Sequence, residues 1–261
     1  MIILWLIVSF LFGLAGGSFL NCLIWRLYEK KSLKGRSICP KCGHQLTWQD
    51  NIPVVSFILL KGRCRYCGEK ISLWYPIIEL TTGIFFALVV LKNFGFFYSF
   101  KITEAFTSVS NSQNEFLVLQ IIRDWIGVFV LLFIFIYDLK YRIIEDIVLL
   151  PATFGVFFIN LLLGWSWQRM ALGMLIAIVF FGSQYILTKR KGIGLGDMRI
   201  GIFLSAFFGE PWIFLIALFL GYIIGAIVGI ILIVCGKKKW RSQVPLGPFL
   251  SLGAFLVLFL G

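Results

Sequence analysis

The first apolar segment of the chain, residues 2–25, reads IILWLIVSFLFGLAGGSFLNCLIW. A run of about 20 apolar residues is long enough to cross the hydrocarbon core of a bilayer as an α-helix. The segment is also longer than the core of a signal peptide, and no basic region precedes it. We therefore interpret it as a transmembrane helix of the protein.

The composition of the chain agrees with this interpretation. Of the 261 residues, 60% are hydrophobic and 14% are charged, and the mean hydropathy is +0.95. A soluble domain of this length cannot bury so much apolar surface, and the apolar runs are continuous, which favours helices over a β-barrel. We predict an all-α polytopic membrane protein with about eight transmembrane helices. The predicted spans are residues 2–25, 76–98, 116–137, 143–164, 170–187, 198–208, 212–234 and 245–260.

Basic residues are distributed unevenly between the loops. The chain has 24 Lys and Arg against 12 Asp and Glu. If eight spans alternate, twenty of the basic residues fall on one side, ten of them in residues 26–75. The positive-inside rule then predicts a cell inner or plasma membrane protein with residues 26–75 in the cytoplasm and both termini outside. No stacking platform accompanies these charges, so we expect contact with the lipid bilayer and no nucleic acid.

Two C-x2-C pairs lie in this predicted cytoplasmic insert, between the first two spans. Cys39 and Cys42 form the first pair, Cys64 and Cys67 form the second, and a glycine follows each pair. Four thiolates in two such turns are typical of a structural zinc site of the ribbon type. Disulfides or a redox pair are the alternatives, which a reducing cytoplasm disfavours. A catalytic metal is a further alternative, but four cysteines leave no open position for water.

The single histidine limits the available chemistry. His44 lies two residues after Cys42, and we interpret it as a residue of the cysteine turn because four cysteines already complete the metal site. One histidine excludes an H-E-x-x-H metalloprotease, and no G-x-S-x-G motif is present. Cys22 and Cys235 lie in apolar stretches and are interpreted as packing residues.

Carboxylates at membrane level are the remaining candidates for chemistry, because a charge there is costly. Asp138 ends the third predicted span and Asp197 begins the sixth, so alternating topology places both at the cytoplasmic mouth of the bundle. Two neighbouring carboxylates share one proton. One of them can then activate a water molecule while the other polarises a carbonyl. The pair therefore predicts aspartic-protease chemistry.

Two other acids lie inside the second and third predicted spans. Asp124 follows Arg123, and we expect an internal ion pair near the outer end of the third span. Glu79 lies just inside the second span, where it either binds a charged group or extends to the membrane interface.

Glycines precede the second aspartate in the sequence GIGLGDMR, residues 192–199. Gly194 and Gly196 remove side chains beside Asp197, so an extended substrate backbone could pair with this stretch. The alternative is a flexible turn before a helix, and the presence of Asp138 on the same side favours the docking role.

The order of these motifs resembles that of the type IV prepilin peptidases, a family of G-x-G-D membrane aspartic proteases. The resemblance covers nearly the whole chain. The matching stretches are GSFLNCLIWRL (17–27), the two cysteine pairs with DNIPVVSFILLKGRC between them, ISLWYPIIELTTG (71–83), DLKYRIIED (138–146), GIGLGDMRIGIFLSAFFG (192–209) and PLGPFLSLGAFL (245–256).

The resemblance implies that Asp138 and Asp197 are catalytic and that the four cysteines bind zinc. It implies a prepilin or pseudopilin precursor as substrate, whose short basic leader ends in glycine and is cleaved at the cytoplasmic face ahead of an apolar helix. It also implies methylation of the new N-terminus with S-adenosylmethionine, although the sequence has no G-x-G-x-x-G loop. Glu79 and Glu145 are the acids that we expect to contact the basic leader.

The sequence departs from the family pattern at Glu145, where the family usually has proline. Glutamate also suits the first turn of a helix, through the helix dipole. The change makes Glu145 and Asp146 rivals for the catalytic role, and we favour Asp138 because it matches the aspartate of the family motif and ends the preceding span.

Two other functions remain open at this point. One is a membrane methyltransferase whose protease has lapsed, and the other is a non-enzymatic scaffold that holds partners through its zinc module. The paired acids and the glycines count against the scaffold. We divide the chain into a first transmembrane helix (1–25), a cytoplasmic zinc-binding and candidate methyltransferase region (26–75) and a transmembrane aspartic protease core (76–261).

Overall fold

The computed structural model describes residues 2–94, 117–189, 194–236 and 244–260. Within these residues the regular structure is helical, apart from two isolated antiparallel bridges. This confirms the predicted all-α fold. The helices are α1 (Ile2–Tyr28), α2 (Val55–Leu59), α3 (Trp74–Asn93), α4 (Leu117–Tyr141), α5 (Asp146–Leu162), α6 (Trp167–Leu187), α7 (Leu195–Phe208), α8 (Pro211–Val234) and α9 (Gly247–Leu260), with a single 3₁₀ turn at Gln49–Asn51.

Five helices of the described part are long and apolar enough to cross a membrane, namely α1, α3, α4, α6 and α8. The apolar helices α5, α7 and α9 are shorter, with 17, 14 and 14 residues. At 1.5 Å per residue, 14 residues extend about 21 Å, which is less than the roughly 30 Å of a hydrocarbon core. Each of the eight predicted segments corresponds to a helix, although residues 95–98 and 116 lie outside the described residues.

The chain divides into two compact units, Met1–Phe96 and Phe97–Gly261. In the first unit α1 packs along α3, and small residues bring the two backbones together. A Cβ atom at Gly17 would lie 2.6 Å from the Cα of Glu79, and one at Gly13 would lie 2.7 Å from the Cα of Gly83. Helix α3 therefore lies in the first unit, together with α1.

The second unit contains α4 to α9. Helix α4 packs against α5 and α9, α7 packs against α5 and α6, and α8 packs against α9. These contacts bring the C-terminal end of α4 to the N-terminal ends of α7 and α9, where the two candidate catalytic aspartates lie.

A buried polar cluster ties α4, α5 and α7 together away from those aspartates. Arg123 donates to Asp124 Oδ1 at 2.7 Å and to Asn160 Oδ1 at 3.2 Å. Asn160 donates in turn to the carbonyls of Ala206 and Phe207 in the last turn of α7, at 2.7 and 3.3 Å. The predicted Arg123–Asp124 ion pair is therefore present, and the cluster satisfies two C-terminal carbonyls of the helix that carries Asp197.

Candidate aspartate active site and four-cysteine centre

Asp138 lies near the C-terminal end of α4 and is 5% exposed. Its Oδ2 accepts a hydrogen bond from the backbone N–H of Gly247, the first residue of α9, at 3.0 Å. A Cβ atom at position 247 would lie 2.6 Å from the same oxygen, so glycine is needed for α9 to approach this closely. The free amides and the dipole of a helix N-terminus stabilise a negative charge, and α9 therefore supports Asp138 as a carboxylate.

Asp197 lies in the first turn of α7 and is half-buried. Its Oδ2 accepts a hydrogen bond from the N–H of Gly194 at 3.0 Å, while its own N–H donates to the Gly194 carbonyl at 3.2 Å. Gly194 is the N-cap of α7 and has an extended backbone, with φ −88° and ψ 161°. This reciprocal pair fixes the Asp197 side chain against the start of its own helix.

The structure brings the two aspartates together. Asp138 and Asp197 are 59 residues apart in sequence, yet they lie close enough to interact electrostatically. The approach depends on the turn between α4 and α5, where Ile144 packs against the backbone of α7. A Cβ atom at Gly196 would lie 2.7 Å from Ile144 Cδ1, so this glycine allows α7 to contact the turn.

Both rival acids have partners within the second unit. Glu145 Oε1 accepts a hydrogen bond from the buried hydroxyl of Tyr137 at 3.0 Å. Asp146 forms an ion pair with Arg199 of α7 at 2.7 Å. Neither contact was predicted, and each joins the α4–α5 turn to a neighbouring helix, which gives these acids a structural role.

The predicted docking glycines differ in their surroundings. Gly194 is exposed and extended, whereas Gly196 lies inside α7 and packs against Ile144. A residue in a helix cannot pair with an extended substrate strand, because its backbone is already used in the helix. Only Gly194 keeps the geometry that strand pairing requires, and Gly192 lies outside the described residues.

A tyrosine that the sequence reasoning missed lies near the second aspartate. Tyr222 of α8 donates a hydrogen bond to Gln184 Oε1 of α6 at 3.2 Å and is within electrostatic range of Asp197. One feature of the sequence could have indicated it: Tyr222 is the one hydroxyl-bearing side chain of the otherwise apolar helix α8.

The four cysteines of the first unit form a compact cluster. The Sγ atoms of Cys39, Cys42, Cys64 and Cys67 all lie within 4.8 Å of one another. An ion bound tetrahedrally at about 2.3 Å from each sulfur would hold the sulfurs roughly 3.8 Å apart. The cluster therefore fits a metal ion with small adjustments of the side chains.

Each cysteine pair lies in the same local backbone structure. The carbonyl of Cys39 accepts a hydrogen bond from the N–H of Gly43, and the N–H of Cys39 donates to the carbonyl of His44, both at 2.9 Å. The second pair repeats this arrangement around Cys64 and Gly68. Both glycines have positive φ angles, +71° and +69°, which L-residues with side chains rarely adopt.

The pKa values of the thiols in the cluster depend on one another. Burial acts to raise the pKa of Cys39, but the backbone amides of Cys42 and Lys41 lower it to about 7. The amide of Glu69 acts to lower the pKa of Cys67, but desolvation and the neighbouring thiols raise it to about 12. A bound cation would stabilise the thiolate forms of these cysteines.

The two cysteine turns are joined by an acid and a ring stack. Asp50 accepts hydrogen bonds from Arg65 Nε at 2.8 Å and from the Tyr66 hydroxyl at 3.1 Å, and also from Thr47. Burial acts to raise the pKa of Asp50, but these hydrogen bonds lower it to about 2. The ring of His44 stacks on Tyr66 with a centroid distance of 3.6 Å, which agrees with its predicted place in the turn.

Glu79 also has an internal partner in the first unit. It is 8% exposed, and its Oε2 accepts a hydrogen bond from the N–H of Val54 at 2.8 Å. Its carboxylate therefore binds the loop that follows the first cysteine turn.

Comparisons with known proteins agree with this organisation. The family model described as "Bacterial Peptidase A24 N-terminal domain" matches residues 11–93, and the one described as "Type IV leader peptidase family" matches residues 125–230. No solved structure gives a significant match to the chain.

Curated relatives match along nearly the full chain. The prepilin leader peptidase/N-methyltransferase of Aeromonas salmonicida is 31% identical, with 98% of this chain and 92% of the relative aligned. The protein of the same name from Vibrio cholerae is 28% identical over 98% of this chain and 96% of the relative. The type 4 prepilin-like proteins leader peptide-processing enzyme of Escherichia coli is 29% identical over 95% and 91%. The chain therefore belongs to the type IV leader peptidase family, a family of aspartic proteases.

Proposed function

We propose that this protein is a membrane endopeptidase that removes the short basic leader from type IV prepilin-like precursors, with Asp138 and Asp197 as its catalytic pair. The observation that carries the proposal is the meeting of these two acids, from different helices, at one end of the second unit. A backbone amide holds Oδ2 of each carboxylate. Within the described residues nothing hydrogen-bonds to Oδ1 of either acid, so these oxygens can face water and substrate.

The two carboxylates can act as the general base and the general acid of hydrolysis. When they share one proton, the ionised acid takes a proton from water as the water oxygen attacks the scissile carbonyl carbon. The protonated acid gives its proton to the carbonyl oxygen. Collapse of the tetrahedral intermediate breaks the C–N bond, and the proton held by the base passes to the leaving amine. This balances the reaction without a metal at the aspartates.

The substrate class follows from the names of the relatives, which describe prepilin leader peptidases and a processing enzyme for type 4 prepilin-like proteins. We propose that Gly194 is the docking position for the extended cleavage site, because it is exposed beside Asp197. Glu145 keeps a second carboxylate oxygen for the basic leader. We assign Gly196 no direct contact with the substrate, because its backbone belongs to α7. We assign none to Glu79 either, because it is 8% exposed and binds the N–H of Val54, whereas Glu145 is half-buried.

We propose that cleavage takes place at the cytoplasmic face of the inner or plasma membrane. The uneven charge of the loops supports this orientation, with the cysteine insert in the cytoplasm and both termini outside.

We further propose a second activity and a structural metal. The names of two relatives include an N-methyltransferase, and methylation of the new N-terminal amine would require S-adenosylmethionine. The four cysteines would hold Zn²⁺, whose closed coordination supplies folding energy to the insert and no reactive water.

The test is cleavage of a model prepilin in membranes by wild type, Asp138→Asn and Asp197→Asn. We expect each variant to lose roughly 10³-fold or more in kcat, since an amide cannot act as the base. Asp146→Asn is the matched control and should keep most of the activity, whereas Glu145→Gln should keep its kcat and raise KM, because Glu145 is proposed to bind the leader. Cleavage by Asp138→Asn with loss of kcat in either of these two variants would transfer the catalytic role to that acid.

Methylation in the same variants separates the remaining functions. A pre-cleaved pilin peptide should still be methylated by Asp138→Asn and Asp197→Asn if the two activities use different residues. Methylation without any wild-type cleavage would indicate a methyltransferase alone, and neither reaction would indicate a scaffold.

A further inference from the structure

The loop between the two cysteine turns carries an unusual apolar surface. Four of its apolar residues are exposed: Ile52, which precedes α2, and Val55, Ile58 and Leu59, which share one face of the helix because Ile58 and Leu59 follow Val55 by three and four positions. They are 36%, 48%, 66% and 74% exposed. A soluble surface rarely has a contiguous apolar face of this kind, so its exposure indicates a partner.

The opposite side of α2 packs against the insert. Phe57 lies over the backbone of Gly62, where a Cβ atom would meet the phenyl ring at 3.0 Å. This inward contact fixes the rotation of the helix and therefore directs Val55, Ile58 and Leu59 outward.

The loop is held beside the start of α3 by Glu79. This acid is the sixth residue of α3 and lies about 7 Å along the helix axis from its first residue, Trp74. Its hydrogen bond to the N–H of Val54 holds the residue before α2 beside the second turn of a membrane-spanning helix. Val54 has a φ of +62°, which a β-branched residue rarely adopts, so the loop is held at this depth despite local strain.

The residues around the face suit a membrane interface. Trp48 and Trp74 are 74% and 61% exposed, and tryptophan is enriched at the level of lipid headgroups. Residues 26–75 contain ten basic and three acidic side chains, which attracts anionic headgroups.

We propose that this α2 face, formed by Ile52, Val55, Ile58 and Leu59, inserts into the headgroup and acyl boundary of the bilayer. The four-cysteine insert is then held flat against the membrane instead of projecting into the cytoplasm. The bilayer is favoured over a protein partner because the face is tethered at the start of α3, which itself enters the lipid. The proposal does not depend on the proteolytic function.

The test places a photo-crosslinking benzophenone amino acid at Leu59 in the full chain, in vesicles of phosphatidylethanolamine and phosphatidylglycerol. We expect lipid adducts at Leu59 and at Phe19, an exposed residue of α1 that serves as a membrane reference. We expect none at Lys41, an exposed residue of the first cysteine turn.

Three results would overturn the proposal. Lipid adducts at Phe19 without any at Leu59 would place α2 in water. Adducts of Leu59 with an added prepilin, or with a second copy of the chain, in place of lipid would identify a protein-docking surface.

A second variant separates this surface from the fold of the insert. With the benzophenone at Ile58, the substitution Leu59→Glu should abolish lipid adducts, because a charged side chain resists insertion. The zinc content should stay at the wild-type value, since the substitution removes none of the four cysteines. Retention of lipid adducts in the Leu59→Glu variant would count against insertion.

Discussion

The four-cysteine cluster and the aspartate pair are built over very different distances along the chain. Each cysteine turn closes through hydrogen bonds between residues at most five positions apart, such as the one from Gly43 to Cys39. The aspartates are 59 residues apart, and the amide that binds Asp138 belongs to Gly247, 109 residues away. Local backbone geometry therefore builds each cysteine turn, whereas helix packing builds the aspartate pair.

This difference predicts two kinds of sensitivity. The cluster should depend on the chemistry of its ligands and on a metal, and much less on the packing of helices. The aspartate pair should depend on how closely α9 and α7 approach α4, because single atoms at Gly247 and Gly196 control those distances. Substitutions can test each side of the comparison.

The largest effect is expected for Cys64→Ser, which removes one buried ligand. Structural zinc in small modules contributes about 10–16 kcal/mol of apparent binding energy, so the insert should lose both its metal and its fold. Zinc content per chain should fall from about one to near zero. Trypsin should then cut within residues 26–75 of the protein in detergent more readily than in the wild type.

Cys235→Ser is the matched control, because this cysteine is exposed and lies outside the cluster. It should leave zinc content and the trypsin pattern unchanged. Retention of zinc by Cys64→Ser would contradict the assignment of the cluster as a four-ligand site.

The next effect is expected for Gly247→Ala, which tests the packing side of the comparison. The added methyl group would lie 2.6 Å from Asp138 Oδ2, so the carboxylate or α9 must move. A displacement of about 1 Å at a catalytic group costs roughly 100-fold in rate, and we expect a loss of that size in kcat with little change in KM. The measurement is steady-state cleavage of a model prepilin in detergent.

Gly155→Ala controls for the general effect of alanine in a helix of the second unit, since nothing lies within 4 Å of its added Cβ. It should keep wild-type activity and gain slightly in stability. Wild-type activity of Gly247→Ala would show that the Gly247 amide does not position Asp138.

The same contrast between local and long-range contacts explains which features of the structure could be predicted from the sequence. Spans of about 20 apolar residues and the C-x2-C-G turns are local signals, so the helices and the cysteine turns were predictable. The candidate pair Asp138 and Asp197 followed from topology, because alternating spans place both at one end of the bundle.

The contacts that hold the aspartates were not predictable in the same way. The partners of Asp138 and Asp146 are Gly247 and Arg199, and each pairing depends on the rotation and depth of helices that apolar periodicity does not specify. Gly196 shows the same limit. The sequence indicates that a side chain must be absent there, but only the packing against Ile144 shows what occupies the space.

An intermediate effect is expected for Asn160→Ala in the buried polar cluster. The change leaves the carbonyls of Ala206 and Phe207 and one donor of Arg123 without their partner, in surroundings with little water. We expect a loss of about 2–3 kcal/mol in stability, measured as the free energy of unfolding in mixed micelles. Activity at low temperature should decrease much less, because the cluster lies away from the aspartates.

Thr153→Ala in the same helix is the control, since Thr153 donates only to the Leu149 carbonyl one turn earlier. It should cost less than about 1 kcal/mol. Equal losses in the two variants would show that the link between α5 and α7 contributes no more than a local hydrogen bond.

The smallest effect is expected for Asp50→Asn, which loosens the link between the two cysteine turns without touching a ligand. Arg65 is 47% exposed, so the ion pair is screened and the total loss should be about 1 kcal/mol. It should be visible as faster transfer of zinc to a chromophoric chelator, while Glu69→Gln, an exposed acid of the second turn, should transfer zinc at the wild-type rate.

The pH dependence of this last difference is a sharper test. The pKa of Asp50 is about 2 in the folded protein, below the value of about 3.9 for an unfolded chain. A lowered carboxyl pKa stabilises the fold above the unfolded value, and this contribution disappears as the pH falls toward the folded value. The ratio of zinc-transfer rates between variant and wild type should therefore stay constant between about pH 6 and 8. A ratio that changes within this range would mean that Asp50 titrates near neutrality, and the four hydrogen bonds assigned to it would then not hold it as a carboxylate.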